Sequence, residues 1–170
     1  MEIVIIGAGA AGMSALETIR KHDEKAKVTL VSETKPISPF ALAEFVSGEI
    51  KEDKIRRFDE EYFDNMNVKF INKRVTKVDA KRNQIHFKDA LKLKFDKILL
   101  APGAITLRLP IKGRDKSGVF YMTTLKEAKE IKSWISKHKV KNVVILGAGF
   151  TGLEAAIALR NKNINVTIVE

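Results

Sequence analysis

One glycine pattern is written twice in this chain, first in Ile3-Val4-Ile5-Ile6-Gly7-Ala8-Gly9-Ala10-Ala11-Gly12 and again in Val143-Val144-Ile145-Leu146-Gly147-Ala148-Gly149-Phe150-Thr151-Gly152. Each copy runs from an apolar stretch into G-x-G-x-x-G, then a helical pattern, then a second apolar stretch, 28–33 or 166–170, that ends in an acid. The order of strand, glycine turn, helix and strand gives the spacing its meaning, since a lone glycine triplet is weak. Two such βαβ units point to a parallel, Rossmann-like α/β fold with two dinucleotide-binding sites.

The spacing assigns each glycine a task. Gly7 and Gly147 permit the tight turn out of the strand, Gly9 and Gly149 let backbone approach a pyrophosphate, and Gly12 and Gly152 let the helix pack closely on the strand. The helix start then faces the phosphates. Its unpaired N–H groups and positive dipole end bind an anion without a basic side chain, and neither loop contains Lys or Arg. The candidate contacts are therefore Gly7, Gly9, Ala10, Ala11 and Gly12 in the first copy, and Gly147, Gly149, Phe150, Thr151 and Gly152 in the second. Glu170 closes its strand where a carboxylate accepts hydrogen bonds from ribose hydroxyls and repels a 2′-phosphate, which predicts NADH over NADPH. In the first copy Ser32 holds the matching strand end and Glu33 follows one residue later, so both are candidates for the first ribose.

Composition narrows the class. The 170 residues are 45% hydrophobic and 31% charged, enough for a globular core. The first apolar run covers only residues 3–6 before the glycines, which reads as a strand and neither a leader nor a membrane anchor. With no Cys there is no disulfide framework, thiolate metal site or redox thiol pair, and a cytoplasmic setting is expected. His22, His86 and His138 lack ligand spacing, so no metal site is expected, and Trp134 reads as packing. The net charge of +10 is spread along the chain and alternates with apolar residues at 91–95, as on a half-buried strand. No nucleic-acid signature accompanies it, and an acidic protein partner suits the charge better.

Between the two copies, residues 41–46 read as a short helix stopped by Gly48, and Asp59 opens another helix with acids in its first turn. A strand over 68–71 precedes three short alternating segments around 75–78, 85–87 and 91–95, which together predict a small antiparallel meander. Residues 97–104 read as a buried strand ending in small residues, and 105–118 as a linker. Thr124-Leu125-Lys126-Glu127 has capping-box spacing, with Leu125, Ala128, Ile131 and Ile135 on one helical face.

Several of these segments carry a family likeness. The first glycine motif, Ser38-Pro39-Phe40-Ala41-Leu42 through Ser47-Gly48-Glu49-Ile50, the strand end Ile98-Leu99-Leu100-Ala101-Pro102-Gly103-Ala104, Leu109-Pro110-Ile111-Lys112-Gly113, and the second motif through Leu153-Glu154 resemble the N-terminal part of the two-dinucleotide FAD/NAD(P)H reductases. That is the pyridine nucleotide-disulfide oxidoreductase superfamily, and the likeness is to its NADH oxidase, ferredoxin reductase and rubredoxin reductase branch. The resemblance spans essentially the whole chain and implies an FAD/NAD(P)-binding Rossmann-like, three-layer fold. It implies FAD on the first glycine loop and NAD(P)H on the second, with residues 1–110 in the FAD-binding domain and 111–170 beginning the NAD(P)H-binding domain. Ala101, Pro102 and Gly103 would run beside the flavin nucleotide, backbone near Val75 would meet the adenine, and Glu154 would be the catalytic acid near the nicotinamide–flavin contact. The implied activity is hydride transfer from NADH to FAD and onward electron delivery, with an acidic carrier of ferredoxin or rubredoxin type as a possible partner. A non-catalytic flavin- or nucleotide-binding fragment, or a split subunit that needs the remainder of the reductase on a partner chain, is the alternative.

The sequence also departs from the family pattern. Phe40 stands about where peroxidase-like and coenzyme A disulfide reductase relatives hold a catalytic Cys, which excludes thiol chemistry there. Glu44 falls near a position where many relatives carry a Lys that pairs with the acid matching Glu154, and Pro102 replaces a more usual Thr. Family members continue past the position of Glu170 through the rest of the NAD(P)H domain, a returning flavin segment and an interface domain.

Overall fold

The near-continuous apolar run of β1 (Glu2–Ile6) suits an inner strand of the first sheet, with Ile3 and Ile5 packed in one core and Val4 and Ile6 in another. The computed structural model describes residues 1–56 and 58–170. Around β1 lie β2 (Lys27–Ser32), β3 (Val68–Asn72) and β7 (Lys97–Leu100), all parallel, in the order β3-β2-β1-β7. Ile6 pairs with Val31 on one side and Leu100 on the other. Successive crossovers build outward from β1 through β2 to β3, and β7 then returns to the opposite side. The strand order therefore reverses at β1, where sheets of this kind leave a crevice at the strand ends.

Helix α1 (Ala10–His22) covers one face, burying Met13 and Leu16 with Ile5, Val28 and Leu30. Beside it α4 (Glu60–Asn65) adds Phe63, stacked on Phe70 at 4.8 Å, after Asp59 caps its N-terminus through Tyr62 N at 2.9 Å. The other face is covered by the meander of β4 (Val75–Asp79), β5 (Gln84–Phe87) and β6 (Lys92–Lys94), whose Ile85 and Phe87, with Phe95 just beyond β6, pack on Val4 and Val31. Helices, parallel sheet and meander make three layers, and covering both faces is what a parallel sheet requires. Arg20 fastens the α1 C-terminus in this unit. Its buried guanidinium donates to the carbonyls of Ala26 at 2.8 Å, Asn67 at 2.6 Å, Met66 at 2.5 Å and Asp23 at 3.2 Å, and it faces no carboxylate in these contacts.

The chain divides into two compact units, Met1–Pro36 with Phe58–Ala104, and Ile37–Arg57 with Ile105–Glu170. In the second, β8 (Asn142–Leu146) and β9 (Asn165–Val169) run parallel and flank α6 (Phe150–Asn161) in sequence, and α5 (Leu125–His138) precedes them. The capping box at Thr124 is complete, with Glu127 N donating to Thr124 Oγ1 at 3.2 Å and Thr124 N to Glu127 Oε2 at 2.9 Å. Residues 37–57 belong to this unit and supply a 3-10 turn (Pro39–Ala41), α2 (Leu42–Ser47) and α3 (Glu52–Ile55). Leu42, Phe45, Val46 and Ile55 share one core with Ala128 of α5, Leu159 of α6 and Ile164. Polar ties reinforce it: Lys162 Nζ donates to Ser47 O at 2.6 Å, Asn161 Nδ2 to Glu49 Oε1 at 2.9 Å, and Lys129 pairs with Glu52 at 2.6 Å.

Apolar side chains of residues 37–56 thus find their burial against α5 and α6. One expectation meets a different outcome. The strand at 97–104 is shorter and less buried than its composition predicts: β7 ends at Leu100, and Leu99 and Leu100 are 37% and 59% exposed. It pairs only with β1 among the described residues and so lies at the sheet edge.

Candidate functional site

The two glycine turns have the same construction. Gly7 and Gly147 adopt φ of +103° and +106°, conformations that side chains other than glycine's rarely allow. Gly7 N donates to Val31 O at 2.7 Å and Gly147 N to Val169 O at 2.8 Å, which ties each turn to the end of its second strand. A Cβ on Gly12 would lie 1.9 Å from Gly7 O, and one on Gly152 would lie 2.1 Å from Gly147 O. The third glycine therefore lets the first helical turn nest against its own loop. At Gly9 and Gly149 an added Cβ would meet nothing within 4 Å, so the bare backbone there faces open space.

That space is chemically suited to a dinucleotide. Gly9 and Gly149 are the N-caps of α1 and α6, neither helix has a side-chain cap, and neither has an acid in its first turn. The N–H groups of Ala10, Ala11 and Gly12, and of Phe150, Thr151 and Gly152, precede the first intrahelical bonds, which start at Met13 N to Gly9 O and Leu153 N to Gly149 O. Each turn therefore offers unsatisfied donors at a positive dipole end with no competing carboxylate on the helix, a donor set that fits a pyrophosphate. Ala10, Ala11, Phe150 and Thr151 are exposed, Phe150 at 90%.

Beside the first turn, Ala101 N donates to Ile6 O at 2.8 Å, and a Cβ on Gly7 would stand 1.9 Å from Ala101 O. The structure thus brings Ala101 against the loop, with Pro102 and Gly103 exposed beyond it. At the strand ends the copies diverge. Glu170 follows β9 directly, and its Oε2 accepts from Ala148 N of the second loop at 2.5 Å. Ser32, in the same register, has its hydroxyl accepting from Thr34 N at 3.4 Å, and Asn72 Nδ2 donates to its carbonyl at 3.0 Å. Glu33 turns to Arg74, whose Nη1 lies 3.2 and 3.5 Å from the two carboxylate oxygens.

Glu33 and Arg74 line a cavity of about 430 Å³ together with Asn72, Lys73, Lys88 and Asp89. The hydrogen bond from Lys73, at 2.5 Å, holds the Asp89 carboxyl below the usual carboxylate range. Val75 starts β4 next to Arg74 and is half-buried. Asn72 and Arg74 escape sequence reasoning because their contacts with Ser32 and Glu33 depend on β3 lying beside β2; the nearest signal is the adjoining Val75. Glu154 is exposed in the second turn of α6. In the same unit Glu44 borders a cavity of about 730 Å³ on α2 and α3, and Phe40 is 75% exposed on the 3-10 turn. Among the described residues no group of three His, Cys, Asp or Glu is arranged to hold a metal, and no helix is long and apolar enough to cross a membrane.

Known proteins share this arrangement. The chain is 34% identical to an NADH oxidase of Methanocaldococcus jannaschii and 34% identical to rhodocoxin reductase of Rhodococcus erythropolis, in each case over 100% of this chain and 40% of the relative. The solved structure of an NAD-dependent persulfide reductase from A. fulgidus superposes with a TM-score of 0.88 at 33% identity, over 99% of this chain and 33% of that one. The chain thus spans about two fifths of the length of the curated relatives it matches. The profile of the pyridine nucleotide-disulphide oxidoreductases matches residues 1–170, and the chain belongs to that family.

Proposed function

We propose that this chain is the part of an FAD-dependent NAD(P)H oxidoreductase that carries both nucleotide turns, with FAD on the first and NAD(P)H on the second. The observation that carries the reading is the pair of turns in which Gly9 and Gly149 leave backbone bare in front of uncapped helix N-termini. When bound, FAD supplies the acceptor for hydride from the nicotinamide and passes electrons onward. The protein's own groups bind and orient. N–H groups of 10–12 and 150–152 hold the pyrophosphates, Ala101, Pro102 and Gly103 border the first nucleotide, and Val75 lies toward its adenine. Glu154 is the candidate acid beside the nicotinamide.

The domain roles follow the compact units, with FAD on Met1–Pro36 and Phe58–Ala104 and the nicotinamide nucleotide on the other. Glu170 favours NADH. One of its oxygens is anchored on Ala148 N, which leaves the carboxylate oriented for ribose hydroxyls and repulsive to a 2′-phosphate. The names of relatives, including a rubredoxin-NAD(+) reductase of Pseudomonas putida, support an electron carrier as partner, and the +10 charge suits an acidic one in a cytoplasmic setting. The test is to titrate the purified chain with FAD while recording the visible spectrum, then to compare NADH and NADPH binding in wild type and Glu170→Ala. Uptake of FAD and an NADH preference that disappears in the variant are expected. No FAD uptake would sink the reading of the first turn, and an unchanged nucleotide ratio would sink that of Glu170.

A further inference from the structure

Each second strand gives a carbonyl from its C-terminal end to the glycine turn, Val31 O to Gly7 N and Val169 O to Gly147 N, so the residues that follow these carbonyls, Ser32 and Glu170, hold equivalent places. The second loop itself anchors Glu170 through Ala148 N. The first loop has no such partner at Ser32, whose hydroxyl turns to Thr34 N, and the acid is displaced to Glu33. A one-residue slip along an extended chain sends the side chain to the other side. Glu33 therefore needs an anchor other than the loop, and Arg74 provides it from the turn between β3 and β4, reaching both carboxylate oxygens.

The pair is about 60% exposed on both sides, and an ion pair so open to water adds little to the stability of a fold. Its location is more informative than its strength. It forms one wall of the 430 Å³ cavity at the carboxyl ends of β2 and β3, the side of a parallel sheet on which ligands bind.

We propose that Arg74 is a positioning residue for the nucleotide of the first unit, holding Glu33 so that its carboxylate reads the adenosine ribose. This rests on the first turn being the FAD site and adds the residue that fixes its ribose acid. Arg74 acts through Glu33. A carboxylate offers about four lone-pair directions, so the oxygens that accept from Arg74 retain capacity for ribose hydroxyls.

The experiment is a fluorescence titration of the purified chain with FAD and with an FAD whose adenosine ribose lacks the 2′-hydroxyl. Arg74→Ala should weaken FAD about tenfold, the scale of one lost charge-assisted hydrogen bond, and leave the deoxy analogue's affinity unchanged. Arg74→Lys should recover part of the loss. Glu33→Gln should erase the difference between the two flavins, and Arg74→Ala added to it should cost nothing more. Both residues are exposed, so melting temperatures should stay at the wild-type value. Unchanged FAD affinity in Arg74→Ala, or equal losses for both flavins, would overturn the proposal while the FAD site stands. Wild type taking up no FAD would overturn the site reading and the proposal together, a result seen before any variant is made.

Discussion

Gly9→Ala and Gly12→Ala lie three residues apart in one loop and should fail in opposite ways. At Gly12 the new methyl would stand 1.9 Å from Gly7 O and 3.5 Å from Ile5 Cγ2. A relaxed carbon–oxygen contact is about 3.3 Å, so loop and helix must separate by about 1.4 Å. Overpacking of this kind costs about 1–3 kcal/mol, and the obstacle here is backbone, which puts it at the upper end. Better helix propensity returns up to about 1 kcal/mol, leaving a net loss of about 2 kcal/mol. For a chain of this size that is a fall in Tm of about 4–8 °C.

At Gly9 the same methyl meets nothing within 4 Å, and φ of −80° with ψ of −173° suits any residue. Reduced freedom of the unfolded chain favours Ala there, while Ala is a poorer N-cap than Gly, so the two effects leave stability within about 0.5 kcal/mol of wild type. The methyl does occupy the approach to the free N–H groups, and FAD affinity should fall at least about tenfold. Thermal melting by circular dichroism and FAD titration on both variants separate the cases. A Gly12→Ala protein that melts with wild type, or a Gly9→Ala protein that binds FAD normally, would refute the division of labour between these glycines.

Three further outcomes are expected. Arg20→Met leaves carbonyls of the α1 C-cap, of Ala26 before β2 and of the turn before β3 without their donor and should cost about 3 kcal/mol, read as a lower urea midpoint with an unchanged slope. The hydrogen bond from Lys129, and then that from Arg56, holds the Glu52 carboxyl below its ordinary range. Its contribution is therefore present above the unfolded value of about 4.3 and lost as pH falls through the folded one, so acidification should lower Tm less in Glu52→Gln than in wild type. Burial, with the hydrogen bond to Glu17 second, pushes the Tyr62 hydroxyl up to about 12. Its contribution is complete below the unfolded value of about 10 and lost as pH rises through the folded one. Tyrosinate absorbance in Tyr121→Phe should show a midpoint near the folded value, and one near the ordinary value would contradict the burial.

Local patterns were legible in the sequence where one short stretch carries all the information. The glycine turns, the capping box at Thr124, the meander and the left-handed stop at Gly48, with φ of +84°, each depend on neighbours a few residues away. Arg74 and Arg20 were not legible, because each acts on groups brought near only by parallel strand pairing or by a helix end meeting a distant turn, as in Arg74 with Glu33 and Arg20 with Asn67. The fate of β7 was also hidden. Lys97-Ile98-Leu99-Leu100 reads as a buried strand by composition, but burial depends on what lies beyond its outer edge. Helix α3 was missed for a simpler reason, since Glu52–Ile55 is four residues long and has no periodicity to detect.

The same distinction bears on where the chain can be divided. A cut after residue 110, the boundary the sequence implies, leaves α2 and α3 without α5 and α6. Helix α2 has six residues, far fewer than the roughly 12–15 an isolated helix needs to be even marginal in water, so its order comes from packing. Leu42, Phe45 and Val46 are 3–6% exposed in the core they share with Ala128 and Leu159. Burying side chains of this type is worth about 1.5–3 kcal/mol each, so the cut forfeits about 5–9 kcal/mol at that helix alone. A whole domain is stable by only about 5–15 kcal/mol. Meanwhile the sheet of the first unit keeps both of its covers, α1 and the meander. A 1–110 fragment should therefore retain the parallel sheet while residues 37–57 unfold and expose apolar surface, giving strong ANS binding and rapid proteolysis confined to that stretch. Protection of 37–57 equal to that of β1 in the fragment would show that α2 does not depend on α5 and α6, and the division into units would then have to follow the sequence boundary.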